Sequence, residues 1–475
     1  MNLTKSSLRL YASPKAVITL FLYLPGSNRI TNVVQRVEKL ENTVAQSSMQ
    51  KVMKEFAGRH RDIEKTFLKH FSRIENQTGE SLSHFSPLKK LLLGAFFTKE
   101  YSIQAAALFN PSVVPHPDQQ NLNAGELRFV MSMRATGEGH ISSVVFQTGI
   151  ADDQGNVFPD KGPEYYTCLH LNGEAKFSKD FISKCAQSFP GFNNSILDLL
   201  PDSFSASQAD RIFRSTSPHD AAIVDSLVII EKILDSNYDL ECSLHIPINE
   251  KVIFPNATSE RMGMEDVRFV KFNDEERSCY YGTYTAYDGT HIKSQLIETS
   301  DFNIFKIRTL YGEAVSDKGM ALFPEKVNGK YVMISRQGGE TMNIMYSDDL
   351  HLWENFCVLI KPEFLWELVQ LGNCGSPVKT EKGWLLLTHG VSTMRTYVIS
   401  AILLDLHDPS LIIGRLNKPL IEADENERDG YVPNVAYTCG MMLHQKMLII
   451  PYAISDSSTA FATIRLDELL SEMKP

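Results

Sequence analysis

The sequence predicts an all-β core, a five-bladed β-propeller, with an N-terminal α-helical extension and a partly helical insertion between blades one and two. Three observations carry this. Short alternating segments recur at a steady interval through the second half of the chain. An earlier copy of the same plan begins near residue 110. The stretch before residue 105 has a helical periodicity instead.

The repeats come first. DVRFV at 266–270 is followed by a polar turn at 273–277, YYGTY at 280–284 and a third strand ending at 298–301. PEKV at 324–327 leads through Asn328-Gly329, a strong hairpin signal, to KYVMISR at 330–336 and NIMYSD at 343–348. PV at 377–378 leads through Lys382-Gly383 to WLLLTH at 384–389 and a strand over 398–405. PNV at 433–435 leads to MLIIPY at 447–452 and a strand over 459–467. The starts at 266, 324, 377 and 433 lie about 53–58 residues apart, near the length of a propeller blade. NPSVV at 110–114, LRFVMSMR at 127–134 and a strand over 141–146 make the fifth copy. The insertion, about 151–255, has helical stretches at 176–187 and 223–235 and is expected to wall the central pocket.

Upstream, AVITLFLYLP at 16–25 reads as a buried strand. It is too short to span a bilayer, and no signal-peptidase pattern follows. Val33, Val34, Val37, Leu40 and Val44, then Val52, Phe56, Ile63, Phe67 and Phe71, keep a three- and four-residue spacing. That predicts amphipathic helix over 29–75, with a short helix over 88–97. The expected division is 1–104 for strand and helices, and 105–475 for the propeller. The helices suit packing or homo-oligomerisation.

Composition narrows the function. The 475 residues are 43% hydrophobic and 22% charged, an ordinary globular balance. A net charge of −10 argues against a general nucleic-acid binder. Seven scattered cysteines without a CxxC pair argue against a zinc ribbon and fit a reducing, cytoplasmic setting. Walker A, dinucleotide, zincin and serine-hydrolase motifs are absent.

A propeller brings the inner-strand ends of its blades to one axis. The polar residues expected there are Asn110 and Arg134, then Glu265, Asp266 and Arg268, then Lys318 and Arg336, then Gln370 and His389, then Asn434 and Asp456. Asp266 is a candidate general acid, or else a turn cap or a partner of Arg268. Lysine, arginine and histidine meeting at one axis would make an oxyanion or phosphate site.

FNPSVV (109–114), GMEDVR (263–268), KGMALFPEKVNGKYVMISR (318–336), GNCGSPVKTEKGWLLLTHG (372–390) and YVPNVAYTCG (431–440) together resemble glycoside hydrolase family 130, the β-mannoside phosphorylases and β-mannosidases. The resemblance implies a five-bladed propeller and an inverting reaction. It implies that Asp266 is the acid and that its proton reaches the glycosidic oxygen through a mannose hydroxyl. It implies phosphate binding by Lys318, Arg336, His389 and Tyr397. It places Asn110, Arg134, Glu265, Arg268, Gln370 and Asp456 among the substrate contacts. Gln370 is a departure, because many phosphorylases carry lysine there. A hydrolytic branch uses glutamate to activate water, and Glu367 is the spare carboxylate nearby. The expected activity is phosphorolysis of a β-linked manno-oligosaccharide to α-mannose 1-phosphate and a shortened acceptor. The alternatives are an inverting β-mannosidase and a non-catalytic carbohydrate-binding propeller. The expected partners are the oligosaccharide and inorganic phosphate as co-substrate, without a metal or organic cofactor, nucleic acid or membrane.

Overall fold

A computed structural model describes residues 2–173, 175–215, 221–273 and 278–474 of the chain. Residues 274–277 of the expected polar turn, and 174 and 216–220 of the insertion, lie outside the described residues. The chain divides into two compact units. One comprises Met1–Ala12, Ala106–Gly162 and Leu169–Pro475, and the other Ser13–Ala105 with Pro163–Cys168.

The larger unit is built from the five repeats. In the first, Ala107–Pro115, Leu127–Thr136 and Ser142–Ala151 pair antiparallel in chain order. In the second, Gly263–Asn273, Ser278–Tyr287, Ile292–Thr299 and Ile304–Thr309 do the same. The third runs Ala321–Leu322, Tyr331–Ser335, Met342–Ser347 and Phe356–Ile360. The fourth runs Gln370–Asn373, Gly383–Val391, Tyr397–Leu404 and Ile412–Arg415. The fifth runs Ala436–Tyr437, Met447–Ile454 and Ser458–Arg465.

Its outermost strand is a surprise. Thr4–Tyr11, from the start of the chain, pairs antiparallel with Ser458–Arg465. Lys5 and Arg9 on this strand reach the buried Glu427 carboxylate at 2.6 and 2.8 Å. The first dozen residues therefore belong with the repeats, and a boundary drawn only after residue 104 misses them.

Hydrogen bonds tie each repeat to the next. Phe269 N donates to Ser112 Oγ at 3.0 Å, Asn273 N to the Pro324 carbonyl at 2.9 Å and Leu371 N to the Glu340 carbonyl at 3.1 Å. Tyr397 N donates to the Asn434 carbonyl at 3.0 Å, and Cys439 N to the Pro111 carbonyl at 2.8 Å, linking the fifth repeat to the first. Each repeat also carries a left-handed residue in or beside its first strand: Asn110, Asp266, Gly319, Gly375 and Asn434 have φ of 49°, 56°, 85°, 93° and 63°. Asn, Asp and Gly are the residues that accept this conformation most readily. Gly375 is needed for a second reason, since a Cβ there would sit 2.2 Å from the Cys439 carbonyl oxygen.

The described residues of the insertion do not wall a central pocket as expected. Its helices Lys179–Ala186, Ala206–Ser215 and Ala221–Asp235 share a core of Phe177, Ile182, Ile196, Phe204 and Ile230 that ends on Tyr311, just past the second repeat's last strand. Its strand Tyr238–Glu241 adds to the outer edge of the second repeat by pairing with Ile304–Thr309, and its last strand, Lys251–Ile253, pairs with Ser142–Ala151 of the first. The apolar face of the insertion is thus spent on the second repeat's flank.

The smaller unit holds a two-stranded antiparallel sheet, Val17–Phe21 with Thr98–Ser102, and between these strands the helices Ser27–Glu38, Asn42–Phe56, Ile63–Thr78 and Pro87–Phe96. The run expected over 29–75 is three helices, interrupted at 39–41 and again where Asp62 takes φ 53°. Their apolar stripes meet in clusters around Phe71, Ile74 and Leu93, and around Met49, Phe67 and Leu92. Among the described residues no helix is long and apolar enough to cross a membrane.

Candidate active site

A cavity of about 420 Å³ opens within the larger unit. Asn110, Arg134, Glu265, Asp266, Arg268, Lys318, Arg336, Gln370, His389 and Asp456, expected from repeat position, all line it, as does Tyr397, expected from the resemblance. Asn434 does not, and its carbonyl accepts from Tyr397 N instead. Among the described residues, no lining residue comes from the insertion.

Backbone geometry delivers the two central polar groups. In the first two repeats the strand register shifts between Phe109 and Ser112, and between Glu265 and Arg268. Such bulges re-aim side chains. Here they turn Asn110 and Asp266 toward each other, and Asn110 Nδ2 donates to Asp266 Oδ1 at 2.7 Å. Arg134 Nη1 donates to the same oxygen at 3.2 Å, and its Nη2 to Glu265 Oε1 at 2.7 Å. Asp266 Oδ2 has no partner among the described residues. Burial alone would raise the Asp266 carboxyl, but Arg134, Arg268, the Asn110 amide and Lys318 together hold it below the usual range. The free enzyme therefore carries an Asp266 anion at neutral pH.

Asp456 behaves oppositely. Burial, then the charges of Asp266 and Glu265, outweigh Arg134 and Arg395 and push its carboxyl up to about 7. Two nearby carboxylates with separated affinities for a proton are a usual basis for acid–base chemistry. The shift has a consequence for stability. A carboxyl raised on folding stabilises the native state fully below its unfolded value of about 4, and that contribution is lost as pH rises to about 7. Asp456→Asn, always neutral, is expected to melt higher than wild type at pH 8, with the gain shrinking toward pH 4. Thermal melts across that range check this, and a pH-independent difference contradicts it.

The cations differ among themselves. Lys318 Nζ is tied to Glu265 Oε2 at 3.0 Å, and is not a free charge. Arg268 donates to the Tyr437 hydroxyl at 2.7 Å and to the Asp266 carbonyl at 3.2 Å. Arg336 pairs with no carboxylate among the described residues, and its Nε is buried without a partner. His389, expected as a cation, is neutral. Burial first, then Arg336 and Arg268, hold it well below the usual imidazole range. Its ring lies flat on Tyr397, with centroids 5.8 Å apart. Gly372 lets the neighbouring strand pass, because a Cβ there would meet His389 Cε1 at 2.5 Å.

Glu367 lies elsewhere. It is fully buried in the turn Leu365–Glu367, accepts from Glu363 N at 2.7 Å and Phe364 N at 2.9 Å, and pairs with Arg415. It does not line the cavity.

Sequence reasoning missed Phe109, Arg395, Tyr431, Val432, Val435 and Tyr437 as lining residues. Tyr431 and Tyr437 flank Asn434 within the last repeat motif, so repeat position could have found them. Arg395 left no such signal, since it stands in a tight turn with φ 55°, outside any strand end.

Comparison with known proteins fits this geometry to a class. A family model described as beta-1,4-mannooligosaccharide phosphorylase, glycoside hydrolase family 130, matches residues 221–475. The chain belongs to that family. It is similar to a 1,2-beta-oligomannan phosphorylase from Thermoanaerobacter sp. (strain X514), 33% identical over 226 residues, covering 46% of this chain and 74% of the relative. It is also similar to a beta-1,2-mannobiose phosphorylase from Listeria innocua serovar 6a, 29% identical over 246 residues, covering 48% of this chain and 66% of the relative. The solved structure of a Listeria innocua beta-1,2-mannobiose phosphorylase with beta-1,2-mannobiose superposes with a TM-score of 0.47 at 20% identity, covering 77% of this chain and 92% of that one.

Proposed function

We propose that the chain is an inverting β-mannoside phosphorylase whose five repeats are the blades of a β-propeller, with the helical unit as an N-terminal extension. Family membership supports the enzyme class, and the relatives' names support the β-mannoside substrate and phosphate. The hydrogen bonds from each repeat to the next, and from the fifth to the first, support the propeller.

The observation that carries phosphorolysis is the Arg336 guanidinium. A half-buried cation without a carboxylate, lining the same cavity as the candidate acid, calls for an anionic ligand. In the reaction, Arg134, Asn110 and Asp456 hold the mannose. Arg336 and Lys318 hold phosphate on the opposite face of the ring, beside Tyr397. A phosphate oxygen bonds to the anomeric carbon with inversion while the glycosidic C–O bond breaks. The leaving oxygen takes a proton that originates on Asp266 and passes through a mannose hydroxyl.

Asp266 must gain that proton before each turnover, although it is ionised in the free enzyme. Phosphate supplies the means. An anion held by Arg336 and Lys318 offsets Lys318, one of the cations that hold the carboxyl down, and so raises its affinity for a proton.

Hydrolysis is the weaker reading, because the glutamate proposed to activate water is locked outside the cavity by Arg415. Incubating the enzyme with β-1,2-, β-1,3- and β-1,4-mannobiose, with and without phosphate, tests the proposal. Turnover that requires phosphate is expected. Equal release of free mannose without phosphate overturns it.

A further inference from the structure

We propose that Gln370 is a positioning residue of the anion site, acting through His389 on Arg336. The proposal rests on the reading of Arg336 as the anion's ligand. Arg336 carries only donors, so its Nη1 at 3.2 Å from His389 Nε2 makes that nitrogen an acceptor. The ring proton is then on Nδ1, which donates to the Asn373 carbonyl at 3.2 Å. Gln370 Nε2 reaches the same imidazole nitrogen at 3.1 Å. The reversed amide would set oxygen against a lone pair, so the donor orientation is required by the tautomer.

One imidazole lone pair thus serves two donors, and both contacts are long for it. That sharing gives the site its working part. When an anion enters, Arg336 turns a donor from His389 to it. Gln370 stays, and the buried imidazole keeps a partner throughout. Without that second donor, each anion-binding event strips a buried acceptor bare, and anion affinity falls. The hub has no slack for another arrangement, since a Cβ on Gly372 would lie 3.1 Å from Arg336 Cδ and closer still to His389. A lysine at this position would also donate, but it would add a third cation beside Arg336 and Arg268. The glutamine supplies the donor without the charge.

The test replaces the donor while keeping the length. Gln370→Met is expected to raise KM for phosphate about tenfold, with a smaller change in kcat at saturating phosphate and in KM for the oligosaccharide. Gln370→Lys restores a donor and is expected to return KM for phosphate to within about threefold of wild type. A purely structural role would move all three constants in both variants. An unchanged phosphate KM in Gln370→Met, or a lysine variant as weak as the methionine one, overturns the proposal. Calorimetric titration with inorganic phosphate separates this from the activity reading. Binding that weakens in Gln370→Met upholds the positioning role even in an enzyme that hydrolyses. Equal phosphate binding by wild type and Gln370→Met overturns the role even where phosphorolysis is observed.

Discussion

Asp266→Asn is expected to lower kcat on unactivated β-mannobiose by about 10²–10⁴-fold, the range for removing a general acid. Oligosaccharide affinity should change much less, because Asn110, Arg134 and Asp456 still line the sugar side of the cavity. The asparagine keeps an oxygen for the Asn110 amide and Arg134, whose bonds to Asp266 Oδ1 are 2.7 and 3.2 Å. It also tolerates the left-handed backbone at φ 56°. Folding is therefore preserved, and the loss reads as lost proton delivery. A substrate whose leaving group needs no proton, such as a nitrophenyl β-mannoside, discriminates further. On it the deficit should shrink sharply. A uniform deficit on both substrates would instead mean that Asp266 only positions the sugar.

Arg336→Met is expected to raise KM for phosphate about 10–100-fold, as the loss of a charge-assisted anion contact of about 1.5–3 kcal/mol requires. Among the described residues neither Arg336 nor Arg268 pairs with a carboxylate, but Arg268 is held by the Tyr437 hydroxyl and the Asp266 carbonyl, whereas Arg336 has only a neutral imidazole, and Lys318 shares Glu265 with Arg134. Lys318→Met should therefore cost less than Arg336→Met. It also leaves Glu265 bonded to Arg134 alone, so part of its effect will appear in sugar binding. Steady-state kinetics with phosphate varied at saturating mannobiose checks both. A larger phosphate defect in Lys318→Met would reverse the ranking, and would mean that Lys318 leaves Glu265 when the anion binds.

That eleven of the expected residues would line one cavity was legible in the sequence, but their charge states were not. Convergence at the cavity followed from repeat position, because each repeat makes the same left-handed step at an Asn, Asp or Gly in or beside its first strand. Spacing cannot report burial. It is burial, with Arg336 and Arg268 alongside, that makes His389 neutral. Where Glu367, the spare carboxylate of the hydrolytic alternative, would lie was hidden for a related reason. Three residues from Gln370 places it near the cavity in sequence, but its partner Arg415 lies far along the chain and turns it away. The outermost strand of the fifth repeat was hidden differently. TKSSLRLY at 4–11 is polar and half-exposed, so it lacks the alternation that marks an inner strand, and its partner is at the other end of the sequence. The insertion's helices were visible by their periodicity, whereas the flank of repeat two that they cover was not.

The central claim is that phosphate, held by Arg336, attacks the anomeric carbon. The most direct measurement is the first product, followed by phosphorus and proton NMR while wild-type enzyme turns over a β-mannobiose in phosphate buffer. The account predicts α-mannose 1-phosphate from the earliest time points, matched one for one by the released acceptor. Free mannose as the first product, in amounts independent of phosphate, would contradict it.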